Sequence, residues 1–122
     1  MTYVAGFLTP VPNENKEAYI ASAREAWPIF RDHGALQTME TWGDDVPEGT
    51  QTDFRRAVDL RPGETVCLSW MIWPDKASYE RCGASMATDP RWQTLTMPFD
   101  GRRMMWGGFV PIFTMTSEGE TQ

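Results

Sequence analysis

The stretch "TVCLSWMIW", residues 65–73, constrains the fold more than any other part of the chain. It reads as a strand, and alternate residues of a strand point to opposite faces. Val66, Leu68, Trp70 and Ile72 therefore share one face, while Cys67, Met71 and Trp73 share the other, with only Ser69 polar. A sheet with one wet face alternates apolar with polar residues. This strand does not, so its sheet must be covered on both sides. The segment "RRMMWGGFVPIF" (102–113) repeats the pattern: Met104, Trp106, Val110 and Ile112 fall on one face, Met105 and Phe109 on the other.

The rest of the chain supplies one cover. "TYVAGFLTP" (2–10) is rich in β-formers and reads as a first strand. A helix follows, capped by Asn13 or Asn15, with Tyr19, Ala23, Ala26, Trp27 and Phe30 in one apolar stripe. Pro28 should kink it or start a new turn, and Gly34 should end it after His33. "ALQTMETWG" (35–43) alternates as a second strand, with Leu36, Thr38, Glu40 and Trp42 on one face. A connection over 44–63 then carries two prolines and five carboxylates. Asp75 caps a second helix with the stripe Tyr79, Cys82 and Met86, and Asp89-Pro90 starts a further short turn. The dipeptide at 100–101 turns into the last strand, and the tail from 114 to 122 reads as frayed.

The order β-α-β-β-α-β is the ferredoxin-like split βαβ plan, an α+β fold with four antiparallel strands and both helices on one face. The length of 122 residues suits one domain, with its core over 2–113. Left bare, the other face would expose apolar surface on the order of several hundred Å². A second copy packed face to face across a two-fold axis would cover it and make a dimeric α/β barrel. The 44–63 connection folding back is the other possible cover. The two-sided pattern favours the homodimer.

Composition narrows the partners. A formal charge of −6 argues against nucleic acid and anionic membrane surfaces, which select basic proteins. No apolar run reaches the length of a membrane span, and no signal-peptide pattern is expected at the start. Cys67 and Cys82 match no zinc or redox spacing and read as buried free thiols of a cytoplasmic protein. No motif calls for a cofactor or a metal.

Across nearly the whole chain, "TYVAGFLTPVP", "NKEAY", "HGAL", "ETWGDDVP", "TDF", "DPR" and "MPFDGRRMMWGGFVPI" stand in the order seen in the YbaA-like family of unknown function. The resemblance runs from about residue 2 to 113 and implies a dimeric α/β barrel. The wider superfamily holds cofactor-independent monooxygenases, haem-dependent enzymes, lactone isomerases and ligand-binding modules, so it implies a fold and not a reaction.

Among candidate site residues, Glu40 is the most informative. A carboxylate on an apolar face needs a partner or a shifted proton affinity, and Arg102 or Arg103 could supply the partner. It could serve as a general base or anchor, or form a structural ion pair on an edge strand. His33, the only histidine, could shuttle protons or simply face the helix C-terminus as a cation. Asp44 and Asp45 diverge as neighbours on a strand and sit in turn chemistry, which weighs against a metal. Asp53 lies in a long connection, where function often resides, and Gly107 and Gly108 allow a close approach to the last strand. Trp42, Trp70, Trp106 and Asp53 are the expected ligand contacts, and Glu40, His33 and Arg103 the expected catalytic candidates. Two functions fit. One is a small organic molecule in a Trp/Met-lined cleft, with cofactor-free oxidation or isomerisation as the enzymatic form. The other is a non-catalytic binding or regulatory module acting through its dimer and the 44–63 loop.

Overall fold

A computed structural model describes residues 1–121. Its main sheet is built on the two longest strands, β1 (Tyr3–Pro12) and β3 (Glu64–Trp73). They pair antiparallel from Tyr3↔Trp73 to Pro12↔Glu64. Short edge strands flank them: β2 (Gln37–Glu40) on β3, and β4 (Met105–Phe109) on β1. The order β2-β3-β1-β4, with α1 (Lys16–Asp32) and α3 (Lys76–Ser85) as the two crossovers, is the expected ferredoxin-like α+β plan.

Register fixes which side chains meet. Tyr3, Ala5, Phe7, Thr9 and Val11 of β1 face the helices together with Cys67, Ser69, Met71 and Trp73 of β3. They pack in two groups. One joins Tyr3, Ala5, Met71 and Trp73 to Ala35 and Cys82, with Phe30, Tyr79 and Trp92 against them. The other joins Val11 and Cys67 to Tyr19, with Trp42 and Phe99 alongside.

Several local expectations need correction. Neither Asn13 nor Asn15 caps α1: Asn13 Oδ1 accepts from Thr65 Oγ1, and Asn15 Nδ2 donates to the Pro98 carbonyl at 3.0 Å. Both side chains are spent on tertiary bonds. The helix also runs through Pro28 to Asp32, with Pro28 on its exposed side. Asp75 does cap α3, accepting from the Ser78 amide at 2.7 Å, and Asp89 accepts from Arg91 ahead of the 3-10 turn Pro90–Thr94. The 44–63 connection holds a short helix, α2 (Phe54–Ala57).

The last strand is shorter than 102–113. It ends at Phe109, and Pro111 follows, which lacks the amide a ladder needs. Val110 and Ile112 therefore leave the sheet. The tail is a hairpin, β5 (Thr114–Thr116) and β6 (Gly119–Thr121). Gly119 takes a φ of 122°, and the Thr116 hydroxyl accepts from the Glu118 amide and donates to the Gly119 carbonyl. This turn chemistry, hidden in "TSEG", gives the tail a structure that its polarity alone did not suggest.

The sheet's second face is covered only in part. Pro10 and Val66 are buried at one end, where Val46 and Leu60 of the 44–63 connection share a groove with Val66. Farther along, Met39, Leu68, Met105 and Phe109 are each between 42% and 60% exposed.

Gly108 tests the packing of the edge strand. A Cβ there would overlap the hydroxyl and ring of Tyr3, so what approaches this strand closely is a core aromatic. Gly108→Ala must push that ring off Tyr79, its neighbour at 5.0 Å. The expected loss is about 1–3 kcal/mol in urea unfolding, as for other overpacked sites.

Candidate functional site

The helical face of the sheet is not filled. Along α1, the stripe toward the sheet is Tyr19, Ser22, Ala23, Ala26 and Phe30: aromatic at both ends and small in the middle. Beneath it lie Thr9, Thr38, Glu40 and Ser69, mostly small and polar. Two small surfaces facing each other leave a cavity of about 380 Å³. Its outer wall is the irregular segment after α3, with Leu95, Met97, Phe99 and Met104. Two bonds hold that wall, one from α1, Ser22 Oγ to the Thr96 carbonyl at 2.7 Å, and one from the turn just before it, Asn15 to Pro98. A second chamber of about 430 Å³ adjoins it past Phe7, Phe30 and Met71, and reaches Trp73, Tyr79 and Trp106.

Among the described residues Glu40 is the only charged side chain lining the first chamber. Its Oε1 accepts from the Tyr19 hydroxyl at 2.6 Å and the Ser69 hydroxyl at 2.7 Å. Burial, then the Glu40 charge, holds the Tyr19 phenol well above its usual range. Burial and the same carboxylate push the Cys67 thiol up to about 12. Both groups are thus neutral near neutral pH, and Tyr19 serves as a donor. The arrangement is a solvent-exposed carboxylate with one oxygen oriented by two hydroxyls, at the polar end of an apolar cleft lined by four methionines. Such a group can accept a hydrogen bond or a proton from a bound molecule.

The other expected residues are placed elsewhere. Arg103 does not reach Glu40. It forms a two-pronged pair with Glu64 at 2.8 and 2.7 Å and also binds Asp100 at 3.0 Å. This tie joins the turn before β4 to the start of β3, a long-range pairing that strand periodicity cannot reveal. Arg102 lies exposed beside it. His33 caps the C-terminus of α1 with Nε2 3.3 Å from Asp89 Oδ2, outside both chambers. Asp53 caps α2, accepting from Arg56 and Gly49 amides at 2.7 and 3.0 Å. Asp44 and Asp45 are exposed. Among the described residues no group of three or more His, Cys, Asp or Glu side chains is placed to hold a metal ion.

The tryptophans do not converge. Trp42 packs on the Val11–Tyr19–Cys67 group with the Lys16 ammonium 5.3 Å from its ring centre. Trp70 lies on the opposite face of the sheet, because it stands one residue from Met71. Trp106 alone of the three lines a chamber, the second. Sequence reasoning missed Tyr19 and Ser69 as Glu40's partners. The signal was present: Ser69 is the one polar side chain that β3 turns toward the helices between Cys67 and Trp73.

The topology and cleft define an α+β protein of the ferredoxin-like plan with an open chamber between helix and sheet. The chain belongs to the family described as a protein of unknown function, DUF1428, whose model matches residues 2–101. It is 44% identical over 114 residues to the uncharacterized protein YbaA of Escherichia coli K12, covering 92% of this chain and 97% of that one. YbaA of Shigella flexneri matches equally. The family suggested by the sequence blocks is thereby borne out. Among solved structures, a dimeric ferredoxin-like protein from an uncultured marine organism is similar at a TM-score of 0.48 and 12% identity, covering 89% of this chain and 92% of that one.

Two pH limits follow from these contacts. The Arg103 guanidinium lowers Glu64 from 4.5 to about 2, so the stability it contributes is present above 4.5 and is lost as pH falls toward 2. Glu64→Gln should flatten the acid limb of a stability–pH profile in that window. Tyr19 shifts the other way: its contribution is present below pH 10 and is lost as pH climbs above that value. Tyr19→Phe should weaken the alkaline limb and cost about 1 kcal/mol at neutral pH. Urea melts across the pH range read both effects.

Proposed function

We propose that the chain binds a small, largely apolar organic molecule in the helix–sheet cleft, with a hydrogen-bond donor of that molecule directed at Glu40. The observation that carries this reading is Glu40 itself, the one charge in a methionine- and phenylalanine-walled chamber, oriented by Tyr19 and Ser69. Apolar clefts with a few convergent polar groups are where such ligands bind. A phenol, enol or similar weakly acidic group suits the carboxylate, and an anionic head is disfavoured by it. In an enzymatic form, Glu40 would take the acidic proton and leave an electron-rich ligand anion enclosed by Met71, Met97 and Met104, the starting point for cofactor-free oxidation or isomerisation. Without a proton transfer, the same contacts give a binding module.

The working unit in this proposal is a cytoplasmic homodimer, joined through the second face of the sheet as a dimeric α/β barrel. The exposed Met39, Leu68, Met105 and Phe109 support it, and the two free, buried cysteines suit a reducing compartment. No helix among the described residues is long and apolar enough to cross a membrane.

A panel of uncharged phenols and enols tests the cleft by thermal shift. Near-saturating ligand should raise Tm by about 10 °C, the shift that a hundredfold excess over Kd produces in a domain of this size. Glu40→Gln should lose most of that shift and keep its own fold. Equal responses from wild type and Glu40→Gln, or a preference for carboxylates over phenols, would sink the reading. Ligand consumption by wild type and not by Glu40→Gln separates the enzymatic form from the binding module.

A further inference from the structure

Beyond Phe109 the chain leaves the main sheet, and within its own fold it shares only a groove of about 290 Å³ with Met1 and Thr2. Residues 112–121 are all exposed, with Ile112 at 95% and Phe113 at 67%, and they end in the β5–β6 hairpin. An isolated two-stranded hairpin is marginal in water, and exposed Ile, Phe and Met side chains on it oppose solvation. The arm is also acidic: Glu118 and Glu120 lie on it, and no Lys or Arg follows Arg103.

At the opposite end of the sheet lies an apolar surface with two arginines at its edge. A groove of about 420 Å³ runs between the 44–63 connection and the start of β3. Val46, Leu60, Pro62 and Val66 give it apolar walls, and Arg55 and Arg61 stand over it. Asp44 is on the rim, and Glu64 is already held by Arg103. The Arg61 amide donates to Glu64 Oε1 at 2.9 Å, but among the described residues the guanidinium of neither Arg55 nor Arg61 has a carboxylate within 4.0 Å. The arm leaves where β1 begins, at Val4↔Phe109, and the groove lies where β1 ends, at Pro12↔Glu64. An arm therefore points away from its own groove. A two-fold axis across the strands would bring it over the groove of a second copy.

We infer that the C-terminal arm, residues 110–121, clasps a second copy of this chain by docking in that copy's groove, with Glu118 and Glu120 toward Arg55 and Arg61. The inference rests on the dimer proposed above and names what completes it. The partly exposed side chains of the sheet face leave roughly 400 Å² of apolar surface, taking roughly 200 Å² for each when fully exposed. A stable interface covers about 800 Å² on each partner. Somewhat over half of such an interface is apolar, so the face alone stands just short of it. Val110, Ile112, Phe113 and Met115 add roughly 500 Å² on the same scale and close the gap.

Charge exchange in the full chain tests this by sedimentation velocity, with thermal melts to verify folding. Glu118→Arg with Glu120→Arg should weaken dimerisation at least about tenfold, and so should Arg55→Glu with Arg61→Glu, since each removes two ion pairs at both symmetric contacts. Joining all four changes in one chain should restore the dimer to within about threefold of wild type. Hydrogen exchange of residues 112–121 in wild type should slow as protein concentration passes Kd. A wild-type dimer that neither pair of changes weakens, with an arm that exchanges at the free rate, overturns the clasp and leaves the sheet-face dimer standing. A wild type that stays monomeric at tens of micromolar overturns both. Leu68→Glu, on the sheet face and away from the arm, should weaken the dimer whether or not the arm clasps, and a dimer it leaves intact overturns the sheet-face association on which the clasp rests.

Discussion

The ten-residue ladder between β1 and β3 is the constraint on which the other elements depend. Each edge strand has only one of these two to pair with, and each helix packs on side chains that they present. A slip of one residue would turn Ser69 and Met71 away from the helices and bring Leu68 and Trp70 under them. It would also break the site, because Ser69 meets Glu40 only through the pairing Glu40↔Ser69. The site is thus a consequence of register, set by two central strands that have apolar residues on both faces.

The cleft has an equally simple origin. A helix holds its distance from a sheet by its largest inward side chains, and on α1 these stand at the two ends, Tyr19 and Phe30. Ser22, Ala23 and Ala26 between them cannot reach the sheet, and Thr9 and Ser69 below cannot rise to meet them. Interiors close-pack, so a void between two well-packed groups costs stability unless something occupies it. A polar floor of Thr9, Thr38, Glu40 and Ser69 under an apolar roof favours an occupant with one polar end. The methionines on the outer wall are flexible enough to fit more than one shape.

How much of this could be read from the sequence depended on the range of the interaction. The strand order, the Asp75 and Asp89 caps and the faces of β2 and β3 follow from local periodicity and turn chemistry, and they were legible. The stripe on α1 is legible as apolar, but that its small centre leaves a cleft depends on the equally small side chains opposite it on the sheet. Two misreadings share one cause. Arg102 or Arg103 could answer the Glu40 charge, yet the partner that Arg103 takes is Glu64, 39 residues away at the mouth of another loop. Trp42, Trp70 and Trp106 were grouped by type, although parity places Trp70 on the face away from Trp106. Side-chain chemistry says what a residue can do. Register and long-range closure decide with whom, and those are written in pairs of distant positions.

The same parity separates the chain's two outward relations. On β3, Ser69 and Met71 belong to the cleft, while Leu68, Trp70 and Ile72 belong to the face where association is proposed. The backbone between neighbours is shared, but their side chains enter different environments. A strand that serves both sides cannot alternate apolar with polar, which accounts for "TVCLSWMIW" in physical terms. The lone serine on its helical side is then an exception with a purpose. An aliphatic residue at position 69 would fill the floor of the chamber and remove one of the two donors that orient Glu40. That the run from Val66 to Trp73 is apolar everywhere except at this position is the clearest mark the site leaves on the sequence.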